Sequence, residues 1–149
     1  MSDMSLRSLC LVLLLIVSIS ACKSRQKLTS TTDELSIVYP EGFWNLVYVS
    51  GPSKSMDALY PNQKPELNLR FKDSLISGNN GCNTYRGKFS YKGHRIDFSQ
   101  PLMSTKMACK GGGETLFMET LKKINQWSVR NDSLIFQMGS LEMMIFVRL

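Results

Sequence analysis

Among the groups able to do covalent or metal chemistry the chain carries four cysteines and one histidine, with many serines that fall in turns. Cys82 and Cys109 are the two cysteines outside the N-terminal region. In an exported chain, an even pair in an oxidising compartment can form a disulfide. A bridge would close a loop of about 27 residues and stabilise the fold by roughly 3–4 kcal/mol on the loop-entropy account. The alternative is two small buried thiols, since free cysteine packs well in cores. Metal binding is not expected: two cysteines and His94, itself in a turn, fall short of the usual four ligands. No cofactor is implied. Nucleophilic catalysis lacks a set of partners, because His94 stands alone and no nucleophile-elbow motif occurs. Glu114 and Glu119 have no partner carboxylate with a reason to lie near. Gly111-Gly112-Gly113 precedes a helix, but no Gly-Lys-Ser/Thr follows, so the run reads as a flexible helix approach rather than a phosphate cradle. The expectation is a protein that is not an enzyme, with a hydrolase built on His94 as the last-ranked alternative.

The elements that position these residues read mainly as strands. Tyr85, Gly87, Phe89 and Tyr91 alternate with Arg86, Lys88 and Ser90, the period-two pattern of a strand with one buried face. Lys92-Gly93-His94 turns the chain into Ile96 and Phe98. Upstream, Gly78-Asn79-Asn80-Gly81 forms a turn into Cys82-Asn83, where the Asn83 amide is suited to capping backbone groups or to meeting a ligand. Thr105 is read in the same structural way. Strands are also expected at Gly42–Val49, with Trp44, Leu46 and Tyr48 on one face, and at Leu67–Phe71. A further strand starts at Trp127, another holds Leu134, Phe136 and Met138, and the last holds Leu141, Met143, Ile145, Val147 and Leu149. Ser50–Pro65 is a loop with a helical turn near Met56–Leu59. Phe117, Leu121 and Ile124 at i, i+4 and i+7 define one helix over Glu114–Asn125. The fold class is therefore mainly β (α+β): a small antiparallel β-barrel-like or strongly curved sheet with one packed α-helix. Such a barrel leaves open a second function, holding a small apolar molecule.

The N-terminus reads as an address. Arg7 precedes an apolar stretch, Leu9–Ile19, too short to span a bilayer comfortably. It runs into Ile19-Ser20-Ala21-Cys22, and small residues directly before a cysteine resemble the lipobox of bacterial lipoproteins. The division is then a signal peptide at 1–21, a flexible tether at 22–38 and a folded domain at 39–149. Cys22 is the expected lipid attachment site, and several acyl chains there give stable anchoring. The alternative is an ordinary secretory leader that leaves Cys22 free. Lys23 at mature position two resembles an outer-membrane address within the cell envelope. The formal charge of +6 comes from basic residues scattered singly, with Lys122-Lys123 the only adjacent pair after the tether, which fits a solvated surface rather than a nucleic-acid patch. The expected partners are membrane lipid, through acylated Cys22, and envelope proteins, with no nucleic acid.

Gly81-Cys82-Asn83, followed by Tyr85, Gly87 and Phe89 and then by Ser104-Thr105-Lys106-Met107-Ala108-Cys109, resembles the META domain. The bacterial members of that family include HslJ-like heat-shock proteins and many envelope lipoproteins. Trp44-Asn45-Leu46 resembles its opening W-x-L, so the likeness spans Gly42–Leu149. It implies a compact barrel-like sheet with one helix, and roles in stress tolerance, envelope maintenance and, in some members, virulence. It implies no catalytic residues. Gly81, Asn83, Tyr85, Gly87, Thr105 and Lys106 are the motif positions, structural or ligand-binding. Two positions depart from the pattern: Lys106 replaces the usual arginine, losing its bidentate donor fork, and Phe89 replaces a common tyrosine.

Overall fold

The structure is a computed structural model that describes residues 37–149. Cys22, the leader and all but the last residues of the tether lie outside the described residues. The strands are β1 (Gly42–Val49), β2 (Glu66–Arg70), β3 (Leu75–Asn79), β4 (Thr84–Lys88), β5 (Ser90–Lys92), β6 (Arg95–Asp97), β7 (Met103–Ser104), β8 (Gln126–Arg130), β9 (Ser133–Met138) and β10 (Leu141–Arg148). The helices are the single turn α1 (Met56–Leu59) and α2 (Gly113–Leu121). All strands join one antiparallel sheet in the order β5-β6-β8-β9-β10-β1-β2-β3-β4-β7. The sheet curls strongly. Its first strand, β5, and its last but one, β4, are a single run of chain interrupted only at Phe89. The covalent chain thus completes the curl where no ladder does, giving a barrel-like sheet as the strand periodicity implies. The seam between β6 and β8 is thin, with Arg95 opposite Gln126 as its one ladder pair. Backbone bonds from Ile96 N to Asn125 O (3.2 Å) and from Trp127 N to His94 O (2.9 Å) reinforce it.

Two bulges shift the burial pattern away from simple alternation. In β1, Trp44 and Leu46 point inward, but Tyr48 is exposed and Val49 is buried instead. The register against β10 slips between Leu46 and Tyr48, and one extra residue turns the following side chains to the other face. A second slip, between Glu142 and Met144, does the same in β10. There Met144 and Phe146 fill the interior while Leu141, Val147 and Leu149 are exposed. In β9, Leu134 and Phe136 are buried and Met138 is exposed. Helix α2 also stops earlier than its apolar spacing implies. After Leu121, Lys123 N bonds Thr120 O (2.9 Å) and Ile124 N bonds Leu121 O (3.2 Å). This tight i to i+3 turn ends the helix while still burying Ile124.

The interior is filled by side chains. Trp44, Phe71, Phe89, Phe98, Phe117, Phe136 and Phe146 are all at most 2 % exposed. They touch in chains, such as Phe89–Phe98 (5.6 Å between centroids) and Phe136–Phe146 (5.3 Å). Such pairs add about 0.5–1.5 kcal/mol each beyond the area they bury. This packing occupies the space in which a barrel of this size could hold an apolar guest.

Candidate functional site

The residues of the Gly81–Asn83 and Thr105–Cys109 motifs meet at one end of β3 and β4. The turn into β4 is built by two buried asparagines. Asn80 Oδ1 accepts from Cys82 N (3.2 Å) and Asn83 N (2.7 Å), and Asn80 N donates to Asn83 O (2.9 Å). This is the local side-chain-to-backbone bonding that makes asparagine a turn former. The turn presents the Asn83 side chain to the segment after β7. Its Oδ1 accepts from Met107 N (2.7 Å) and Thr105 Oγ1 (2.9 Å). Its Nδ2 donates to Met107 O (3.2 Å) and to Glu114 Oε2 (2.6 Å). Only this orientation of the amide matches donors to acceptors on both sides, and all four of its hydrogen-bonding positions are used. Thr105 Oγ1 also accepts from Thr84 N (3.2 Å). Beside this hub, Cys82 and Cys109 form a disulfide, with Cα atoms 5.8 Å apart.

The third member of the hub is the start of α2. Glu114 lies in its first turn, where a carboxylate is favoured by the helix dipole. Of the three glycines before it, Gly111 and Gly113 are close-packed rather than a flexible approach, while Gly112 has open space around it and a positive φ of 75°. A Cβ at Gly113 would lie 2.3 Å from the Tyr60 ring, and one at Gly111 the same distance from Leu59 O. A Cβ at Gly81 would also strike Tyr60, at 2.3 Å. The Tyr60 ring is therefore wedged between the turn at Gly81 and the head of α2. Its buried hydroxyl has no hydrogen-bond partner among the described residues, and burial pushes its pKa up to about 12. Tyr85 is buried too, its hydroxyl donating to Glu66 O (3.2 Å), and burial raises its pKa as well. Gly87 leaves room for Leu102, whose side chain would lie 2.4 Å from a Cβ there. Between the Ser104–Ala108 segment and α2 lies an open cleft of about 580 Å³. Lys106, Met107, Glu114, Met118, Glu119 and Lys122 are among the residues lining it.

Residues 36–149 match the META domain. The chain belongs to the META domain family. No curated protein matches its sequence. Among solved structures, it is similar to the NMR structure of a protein from Burkholderia xenovorans. That match has a TM-score of 0.54 and 22 % identity, and covers 73 % of this chain and 82 % of the other. A DUF4847 family protein from Bacteroides vulgatus gives a TM-score of 0.49 at 15 % identity, covering 74 % of this chain and 94 % of the other. The Burkholderia likeness shows the fold alone.

In this META domain the two departures from the family pattern fall in contrasting places. Phe89 is buried against Phe71 and Phe98, where a side chain without a hydroxyl leaves nothing unpaired. Lys106 is exposed on the rim of the cleft. His94 sits in the turn between β5 and β6, its ring 4.8 Å from that of Trp127, and its carbonyl accepts from Trp127 N. Trp127 Nε1 in turn donates to Gly93 O (3.2 Å), so the residues around His94 anchor the β5–β6 hairpin. Among the described residues no three His, Cys, Asp or Glu side chains gather where they could share a metal ion. Sequence reasoning missed the parts played by Glu114 and Tyr60. An acidic residue directly after a glycine run at a helix start was a usable signal for Glu114. Nothing local marks Tyr60, whose role depends on glycines more than 20 residues away.

Proposed function

We propose that this META-domain chain is a lipid-anchored, non-catalytic binding or support module of the bacterial envelope, serving stress tolerance. The observation that carries the anchoring is the apolar leader running directly into Ser20-Ala21-Cys22, a pattern suited to acylation of Cys22. Lys23 at the next position favours the outer membrane. The chemistry of the hub supports the non-catalytic half. The groups that most resemble an active centre, Asn83, Thr105 and Glu114, spend their hydrogen bonds on one another and on the backbone. A catalytic constellation instead keeps donors or acceptors aimed at a reacting atom. The partners are the membrane lipid, through Cys22, and other envelope proteins.

The test is fractionation of cells expressing the wild type and Cys22→Ser. The wild type should take up a labelled fatty acid and sediment with membranes, while Cys22→Ser should stay unlabelled and unprocessed. Equal labelling of both forms, or no labelling of the wild type, would end the lipoprotein reading.

A further inference from the structure

The segment from Met103 to Met107 is paired on one side only. Met103 lies opposite Arg86 and Ser104 opposite Tyr85 in an antiparallel register. Thr105 N bonds Thr84 O (3.1 Å). At Met107 the ladder continues without a strand, because the Asn83 amide takes the place of a peptide group, with Oδ1 receiving Met107 N and Nδ2 reaching Met107 O. The odd-numbered residues 103, 105 and 107 therefore face the sheet. In an antiparallel ladder the residues between them point their N–H and C=O groups the other way. Those residues are Ser104 and Lys106. Among the described residues no backbone hydrogen bond of a turn, loop or cap engages the N–H or C=O of either.

Ser104 and Lys106 are among the residues that line the 580 Å³ cleft, and α2 supplies the residues opposite. The volume falls within the range of about 300–1,000 Å³ typical of ligand sites. Protein edges are commonly blunted by brevity and by lysine; β7 is short, and Lys106 follows shortly after it. Exposed methionines run against that reading: Met103 is 61 % and Met107 58 % exposed, and Met107 and Met118 line the cleft with soft, adaptable surface. What complements two outward peptide groups spaced by one residue is another extended backbone, which offers donors and acceptors at the same repeat. We propose that the cleft between β7 and α2 binds an extended polypeptide segment of a partner protein. The segment adds as a strand to the Ser104–Lys106 edge and places apolar side chains at alternate positions against Met107 and Met118. This inference rests on the reading of the chain as a binding module and does not depend on the anchor.

The experiment selects binders to the full chain from a displayed library of random twelve-residue peptides, then measures their affinity in solution. Selected peptides should slow amide exchange at Ser104 and Lys106 in the unaltered chain. Methylating alternate peptide nitrogens of a binder should abolish binding. Ser104→Pro removes the outward N–H without touching a ladder bond, and it should weaken binding by about tenfold or more. If Ser104→Pro does not fold, the exchange measurement on the unaltered chain decides alone. The proposal is overturned if no peptide is selected, if binders leave exchange at Ser104 and Lys106 unchanged, or if a folded Ser104→Pro binds them as well as wild type does. It is also overturned if those two amides are already protected by pairing of two copies of this chain. A negative result with intact acylation of Cys22 would remove the peptide site and leave the anchored-module reading standing.

Discussion

The two ends of strands β2–β4 are closed by opposite means. At one end, Phe71 packs against Tyr39 (4.7 Å between centroids), Tyr91 (4.9 Å), Phe89 (5.1 Å) and Trp127 (5.8 Å). That closure is apolar, and many combinations of large side chains could provide it. At the other end the chain is fastened by the Cys82–Cys109 bridge, by the four bonds of the Asn83 amide and by the fit of Tyr60 between two glycines. Each of these depends on one residue type. An amide alone supplies two donors and two acceptors in a plane, and only glycine admits a ring at that distance. A recognisable motif can therefore arise largely from directional fastening, while the apolar end contributes only Phe89 to it.

The contrast can be broken from either side. The largest effect is expected at the aromatic end: Phe71→Ala should cost about 3–5 kcal/mol, because it opens a cavity among four rings, as read from urea unfolding. A cost below about 1 kcal/mol would mean that this end is not closed by packing. At the other end, the double variant Cys82→Ala/Cys109→Ala should lose roughly 3–4 kcal/mol from the unfolded-state term. A reductant should shift the wild-type unfolding midpoint and leave the double variant's unchanged. The smallest effect concerns Tyr60 and appears in alkali. Its folded pKa is raised to about 12 from an ordinary 10.0, so the unfolded chain loses the phenol proton first as pH rises. Stability from this group is full below pH 10 and declines as pH climbs towards 12. Tyr60→Phe should lessen that decline, the remainder coming from Tyr85, and should leave stability near neutral pH equal to or above the wild type's, because it removes a buried hydroxyl without a partner.

Much of the sheet was legible in the sequence because alternation survives wherever strands run without interruption. Leu67 and Leu69 in β2, and Tyr85 and Phe89 around β4, point inward as their spacing implies. Alternation misled in β1 and β10. A bulge adds a residue without any composition signal, so Tyr48, Val147 and Leu149 came out on the opposite face. The helix face was readable through Phe117, Leu121 and Ile124, but its end was not, because the final turn tightens without a glycine or proline to mark it. At the hub, the motif residues could be named from sequence, but not the way they meet. Asn83 reaches Met107 and Glu114 across separations of 24 and 31 residues, and no local pattern encodes such a pairing. Gly111 and Gly113 were misread for the same reason, since the Leu59 carbonyl and the Tyr60 ring that demand them come from the distant end of α1.

Native-state amide exchange on Asn83→Ala tests most directly whether the motif is a fastening. Removing the amide should speed exchange at Met107 and in the first turn of α2 by about tenfold or more, since each lost buried bond costs on the order of 1–3 kcal/mol. The amides of Ile96 and Trp127, bonded at the far end of the sheet, should exchange as in the wild type. Unchanged exchange at Met107, or an equal acceleration at both ends, would contradict the account.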